Sequence, residues 1–141
     1  MSFLSPGVRA ASADSGLCAT PGKDGPAGTL TGVANTYYPG TATAVAGSTS
    51  ISLGSPQGSA IGIVAGDLLL VMQMQDAAID SSNSGAYGDG VAGDPASGST
   101  SLNNSGRFEY VIATGPVSAG SVPVMGAGPG NGLLYSYTNS A

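Results

Sequence analysis

Large apolar residues are sparse in this chain, and where they gather they alternate at the period of an extended strand. The longest gathering is Gly66-Asp67-Leu68-Leu69-Leu70-Val71-Met72-Gln73-Met74-Gln75, which opens on a Gly-Asp turn signal and closes in Met/Gln alternation. Successive strand side chains point to opposite faces, so Leu68, Leu70, Met72 and Met74 share one wholly apolar face. Leu69, Val71, Gln73 and Gln75 share the other, which is wetter at its far end. The leading glycine, the turn-rich flanks and the short run exclude a helix. The pattern predicts a central strand whose all-apolar face is sealed by the rest of the chain.

The same period places other elements around it. Leu30, Val33 and Tyr37-Tyr38 predict a first strand ending at Pro39-Gly40, with one tyrosine on each face. Thr41 to Ala46 and Ser50 to Leu53 are short alternating runs parted by Gly47-Ser48, a hairpin-like arrangement, and Gly54 to Gly58 is a turn cluster. Arg107 to Thr114 predicts a strand with Phe108, Tyr110 and Ile112 on one face and Arg107, Glu109 and Val111 on the other. Ser121 to Met125 contains Pro123, which cannot donate to a ladder and so points to an edge or bulged strand. Gly126 to Gly132 is a glycine loop, and Leu133 to Tyr137 predicts a last strand. Between them, residues 76 to 106 are a long stretch of Ser, Asn, Gly and Asp; loops of this length in compact domains are usually functional or mobile. The fold expected is all-β: a single antiparallel β-sandwich or partly open β-barrel over residues 28–141, with one long polar loop at 76–106. Residues 1–27, poor in large apolars and rich in breakers, are expected to be a flexible arm or linker.

Composition sharpens the fold class and removes whole classes of chemistry. The 24 glycines and 9 prolines among abundant Ser, Thr and Ala favour short strands and many turns. Three basic residues, Arg9, Lys23 and Arg107, against eight acidic ones give a net charge of −5. Binding a nucleic-acid backbone or an anionic membrane takes clustered Lys and Arg, so both partners are disfavoured. No stretch approaches the apolar length of a membrane span, and Met1 to Leu17 lacks the apolar run of a signal peptide. Cys18 stands alone, so no disulfide can form within the chain. With no histidine, a catalytic triad, a histidine-ligated zinc site and an imidazole proton shuttle are all impossible.

Three stretches remain as candidate chemistry. Gly126-Ala127-Gly128-Pro129-Gly130-Asn131-Gly132 superficially resembles a phosphate loop, but it lacks the Gly-Lys-Ser/Thr ending and a following helix, which makes it a turn. In the long loop Asp76, Asp80, Asp89 and Asp94, with Asn83, Asn103 and Asn104 nearby, are candidate calcium ligands. Hard cations take six to eight oxygens, and flexible Gly/Asn/Asp loops can supply them. The spacing is not that of an EF-hand, and aspartates that bond their own turn backbone explain the same residues. Glu109 with a loop aspartate could be drawn as a glycosidase pair, yet nothing in the spacing brings two acids together, and no tryptophan is present to stack a sugar. Glu109 is expected to pair with Arg107 across a strand or to be solvated.

Five pieces in order carry a resemblance. Asn35-Thr36-Tyr37-Tyr38-Pro39-Gly40, the 66–79 strand, Ala86-Tyr87-Gly88-Asp89-Gly90, Gly106-Arg107-Phe108-Glu109-Tyr110-Val111 and Gly132-Leu133-Leu134-Tyr135-Ser136-Tyr137 together span about 110 residues. In this order the chain resembles the N-terminal region of large secreted bacterial cell-surface proteins, adhesin-like and often described only by DUF11-type repeats. The resemblance implies export, a place at the cell surface and further β-domains downstream, the present chain being a truncated frame, a processed fragment or a subunit. It brings no catalytic or binding residues. The function expected is that of a non-catalytic secreted β-domain in a surface or adhesive structure, self-assembling by adding a strand such as Leu133 to Tyr137, or the arm, to a neighbour's sheet. Its partners would be other copies, neighbouring surface domains, or a host or matrix glycan. The alternative is a calcium- or glycan-binding module that uses the 76–106 loop, with calcium as the one cofactor in view.

Overall fold

A computed structural model describes residues 19, 22–23, 28–29, 31–59, 61–79 and 99–139. The described chain is all-β apart from one 3-10 turn at Pro129–Asn131. In chain order the strands are β1 (Thr36–Tyr37), β2 (Ser50–Ser52), β3 (Gln57–Gly58), β4 (Leu68–Met72), β5 (Ala78–Ile79), β6 (Ser99–Ser101), β7 (Phe108–Ala113) and β8 (Ser121–Met125). Four of them form an antiparallel sheet in the order β2-β8-β7-β4, while β1 pairs with β3 and β5 with β6. The strand at 68–72 is therefore an edge strand, not the central one its hydrophobicity predicts.

Register decides which side chains share a face. Leu69 lies opposite Val111 and Val71 opposite Glu109, while Ala113 lies opposite Val124 and Val122 opposite Ile51. This inner face buries Val111, Ala113, Val122, Val124 and Ile51, with Leu69 and Val71 packed against them. Ala44, Leu133 and Tyr137 close the core from the other side. The outer face carries Leu68, Leu70 and Met72 beside Ile112, Tyr110 and Phe108. The expectation that the all-apolar face of 68–74 would be sealed is thus inverted: Leu68, Leu70, Met72 and Met74 are exposed. The other face goes inward because β7 and β8 there offer Val111, Ala113 and Val124 in register, and because its polar members, Gln73 and Glu109, have backbone to bind.

That backbone is the segment 133–139. Its first part, Leu133 to Tyr137, has the pattern of a strand, yet it makes only one ladder bridge, Tyr137 to Ala44, beyond the paired bonds of Leu133 with Gly47 and Ser48. Side chains hold several of the other backbone groups. The Glu109 carboxylate accepts the N–H groups of Leu134 (2.8 Å) and Tyr135 (3.1 Å). Gln73 accepts the Thr138 N–H through Oε1 (2.8 Å) and donates through Nε2 to the carbonyls of Thr138 and Gln75. The Arg107 guanidinium sits 5.1 Å from the centre of the Tyr135 ring, a cation–π contact. A chain lying across strands cannot join their ladder, so buried polar side chains must satisfy its N–H and C=O groups. Glu109 is accordingly neither solvated nor an ion-pair partner of Arg107.

Three smaller expectations also change. Residues 41–46 and 50–53 do not form a tight hairpin. Gly40 bridges Leu53 and Thr41 donates to Ser52, leaving 42–49 as an excursion that delivers Ala44 to Tyr137. Gln57–Gly58, within the expected turn cluster, pairs with β1. Pro123 lies on an interior strand, between β2 and β7, because its nitrogen meets β7 only where the two chains part. Its carbonyl still accepts the Thr114 N–H at 2.9 Å, and regular pairing starts one residue later, at Ala113 with Val124. Of the adjacent tyrosines, Tyr37 is exposed and Tyr38 half-buried. The expected arm at 1–27 falls almost wholly outside the described residues, as does Cys18. Lys23, within it, forms an ion pair with Asp67 at the head of β4.

Tyr137 offers a direct check on this packing. Its hydroxyl is buried and finds no acceptor in hydrogen-bond geometry, although the Glu109 carboxylate, already occupied by two N–H groups, is close enough to act on its ionisation. Burial and then the nearby carboxylate push its ionisation well above the usual tyrosine range. Removing a buried hydroxyl that makes no bond relieves its desolvation cost. Tyr137→Phe is expected to stabilise the fold by about 1 kcal/mol in denaturant titration. A loss of the same size would instead reveal a hydroxyl–carboxylate bond.

Candidate interaction surface

The outer face of β4 and β7 is the most unusual surface of the molecule. On β4, Leu68, Leu70 and Met72 are 53%, 51% and 42% exposed, and on β7 Phe108 and Tyr110 are 53% and 54% exposed. Register sets Leu70 beside Tyr110 and Met72 beside Phe108. The two rings meet edge to face, with centroids 6.3 Å apart. Ile112, between Leu68 and Met125, is already buried by these neighbours. Toward β2 the same face turns polar, ending in Ser50 and Ser121, whose hydroxyls bond at 2.6 Å. None of the β4, β7 or β8 residues on this face is charged.

Among the described residues, the strand that carries this patch also has an unpaired edge. In an antiparallel ladder, successive residues turn their N–H and C=O groups to alternate sides. Asp67 accepts from Ala113, and Gln73 donates to Arg107 and accepts from Gly106, so the odd-numbered residues face β7. Leu68, Leu70 and Met72 direct theirs away from the sheet, where no described residue pairs with them. Natural sheets usually blunt such an edge with lysine, proline or a bulge. β4 has none of these. At the opposite side of the sheet, residues 39–41 cover β2 through the Thr41–Ser52 and Gly54–Pro39 bonds.

The long loop is more ordered at its base than the sequence implies. Its described ends form the β5–β6 ribbon, and Asp76 staples the turn before β7. The Asp76 carboxylate accepts the Asn104 N–H (3.0 Å), its carbonyl accepts from the Asn103 amide (2.8 Å), and its N–H donates to Ser105 Oγ. Asp76 thus serves the turn, while the other calcium candidates, Asp80, Asp89 and Asp94, lie outside the described residues. Among the described residues, no group of three or more acidic or cysteine side chains is brought together. An open depression of about 460 Å³, lined by Asn103, Asn104, Arg107 and Tyr135 among others, adjoins this turn. Its guanidinium is already laid on the Tyr135 ring.

Glu109, which a glycosidase pair would have needed free, faces the core with both oxygens engaged by backbone. The sequence pointed to the loop, assigned Leu68, Leu70 and Met72 to a sealed face, and set Phe108 and Tyr110 on one face of their strand without saying which way that face turns. The available signal was that both faces of 68–72 are apolar, so one of them had to be left for something else. No protein-family model, no curated protein and no solved structure matches the chain.

Proposed function

We propose that the chain is a non-catalytic β-domain of a secreted bacterial surface or adhesive structure, working through the outer face of β4 and β7. The observation that carries this is the uncharged, half-exposed patch of Leu68, Leu70, Met72, Phe108 and Tyr110. Contiguous apolar surface of this kind marks a contact site, because leaving it in water costs free energy that a partner recovers. Aromatic and methionine side chains are the types that interfaces favour. The export and surface placement rest on the resemblance of the five sequence pieces. Strand donation by Leu133 to Tyr137 is not part of the proposal, since Leu133 and Tyr137 are buried in their own core.

The test is to tag the protein in a bacterium that produces it and label intact cells with a membrane-impermeant reagent. Labelling on intact cells is expected, together with loss of surface attachment in Tyr110→Glu. Tag confined to the cytosolic fraction would end the reading. Attachment that survives Tyr110→Glu but fails in Arg107→Ala would move the contact to the depression beside Tyr135 and favour a glycan ligand.

A further inference from the structure

We infer that the outer face of β4 and β7 is covered by a second copy of the same chain, the two sheets stacking face to face about a twofold axis. This rests on the reading of that face as a contact surface and names its occupant.

Size is the first argument. Taking about 200 Å² for a large side chain, five residues near half exposure present about 500 Å² of apolar surface. A stable pairing buries about 800 Å² on each partner, of which about 65% is apolar in homodimers. The patch supplies that apolar core, and the serine end of the face together with the neighbouring turns supplies a polar rim. Pairing through the free edge of β4 alone would involve one five-residue strand and leave Phe108 and Tyr110 in water.

Charge is the second argument. Two copies, each of net charge −5, repel unless their acids lie away from the contact. No β4, β7 or β8 residue on the face is charged, and of the described acids Asp67 is neutralised by Lys23, Asp76 is held in its turn, and Glu109 points to the opposite side of the sheet. An uncharged face suits an uncharged partner face, and two copies of one sheet carry the same twist, as aligned face-to-face packing requires. Sheets packed this way sit about 10 Å apart with their side chains interdigitated, which places Tyr110 and Leu70 at the centre and the tyrosine hydroxyl where it can reach water or the facing chain.

The experiment is sedimentation equilibrium of the full chain under reducing conditions, with amide hydrogen exchange on the associated state. A reversible monomer–dimer equilibrium is expected. Leu70→Glu and Tyr110→Glu, both at half-exposed positions, should weaken it at least 100-fold while far-UV dichroism, and melting at concentrations where the wild type is monomeric, stay unchanged. Val45→Glu, an exposed apolar site elsewhere, should not. The outward amides of Leu68, Leu70 and Met72 should exchange as fast in the dimer as in the monomer, because stacking leaves the edge open. Slowed exchange at those three amides would mean edge-to-edge pairing and would overturn the inference, whatever the variants do. A monomer at every concentration would overturn it too, yet leave the surface-domain reading standing with a different partner. Absence from the cell surface would end that reading while a dimer in solution persisted.

Discussion

Glu109→Ala is expected to destabilise the protein by about 2 kcal/mol, because it leaves two part-buried backbone N–H groups without their acceptor. The residue is 8% exposed and its oxygens hold Leu134 and Tyr135 in place. Bonds from N–H to a carboxylate are stronger than those between neutral groups, and the N–H groups cannot be mutated away with their partner. Total stability in domains of this size is small, so the midpoint should fall by on the order of 10 °C. Glu109→Gln keeps one carbonyl acceptor but turns an amide donor toward the second N–H, so its loss should be intermediate. A thermal melt of both variants decides the point. Equal stability of Glu109→Ala and the wild type would mean that the 133–139 segment is not held by this carboxylate, and would reopen a chemical role for it.

The same residue shows where reading the sequence stops. Alternation correctly separated the two faces of 68–72 and of 107–114, and the all-β class followed from it. What alternation cannot say is which face turns inward. That depends on partners far away in the chain: Val122 and Val124 in register with Ile51 and Ala113, and a C-terminal segment needing acceptors at Glu109 and donors and acceptors at Gln73. A glutamate and a glutamine argue locally for the wet side, and the more hydrophobic face argues locally for the core. Both local arguments lose here because buried polar groups with partners cost little, whereas unpaired backbone costs much. For the same reason Leu133 to Tyr137 looks like a strand by composition and is held instead by side chains. The candidate site was legible only in part: alternation puts Leu68, Leu70 and Met72 on one face, but as a sealed one, and leaves open which way Phe108 and Tyr110 turn. Its free edge became visible only when strand order set β4 at the rim of the sheet.

Gly132→Ala should cost on the order of 3 kcal/mol. The glycine loop at 126–132 was read from sequence as a turn, which explains Gly130 alone: its φ of 62° is the left-handed backbone that glycine adopts without penalty. Gly132 has ordinary extended φ and ψ, and its requirement is proximity. A β-carbon there would run into the backbone of Gly47 and come within 2.7 Å of the Ser48 carbonyl oxygen. That is the place where the chain crosses to exchange bonds, Gly47 N–H to the Leu133 carbonyl and Leu133 N–H to that of Ser48. Neither backbone can retreat without breaking those bonds and withdrawing Leu133, which is fully buried, from the core. Gly130→Ala supplies the contrast. Its added carbon would meet nothing within 4 Å, so the loss is limited to the strain of positive φ, about 1 kcal/mol. Chemical denaturation of the two variants side by side should therefore rank Gly132→Ala well below Gly130→Ala. The reverse order would mean that the 41–48 excursion and the 133–139 segment do not pack as closely as described, and with that the inner layer that forces Leu68, Leu70, Met72, Phe108 and Tyr110 outward would lose its support.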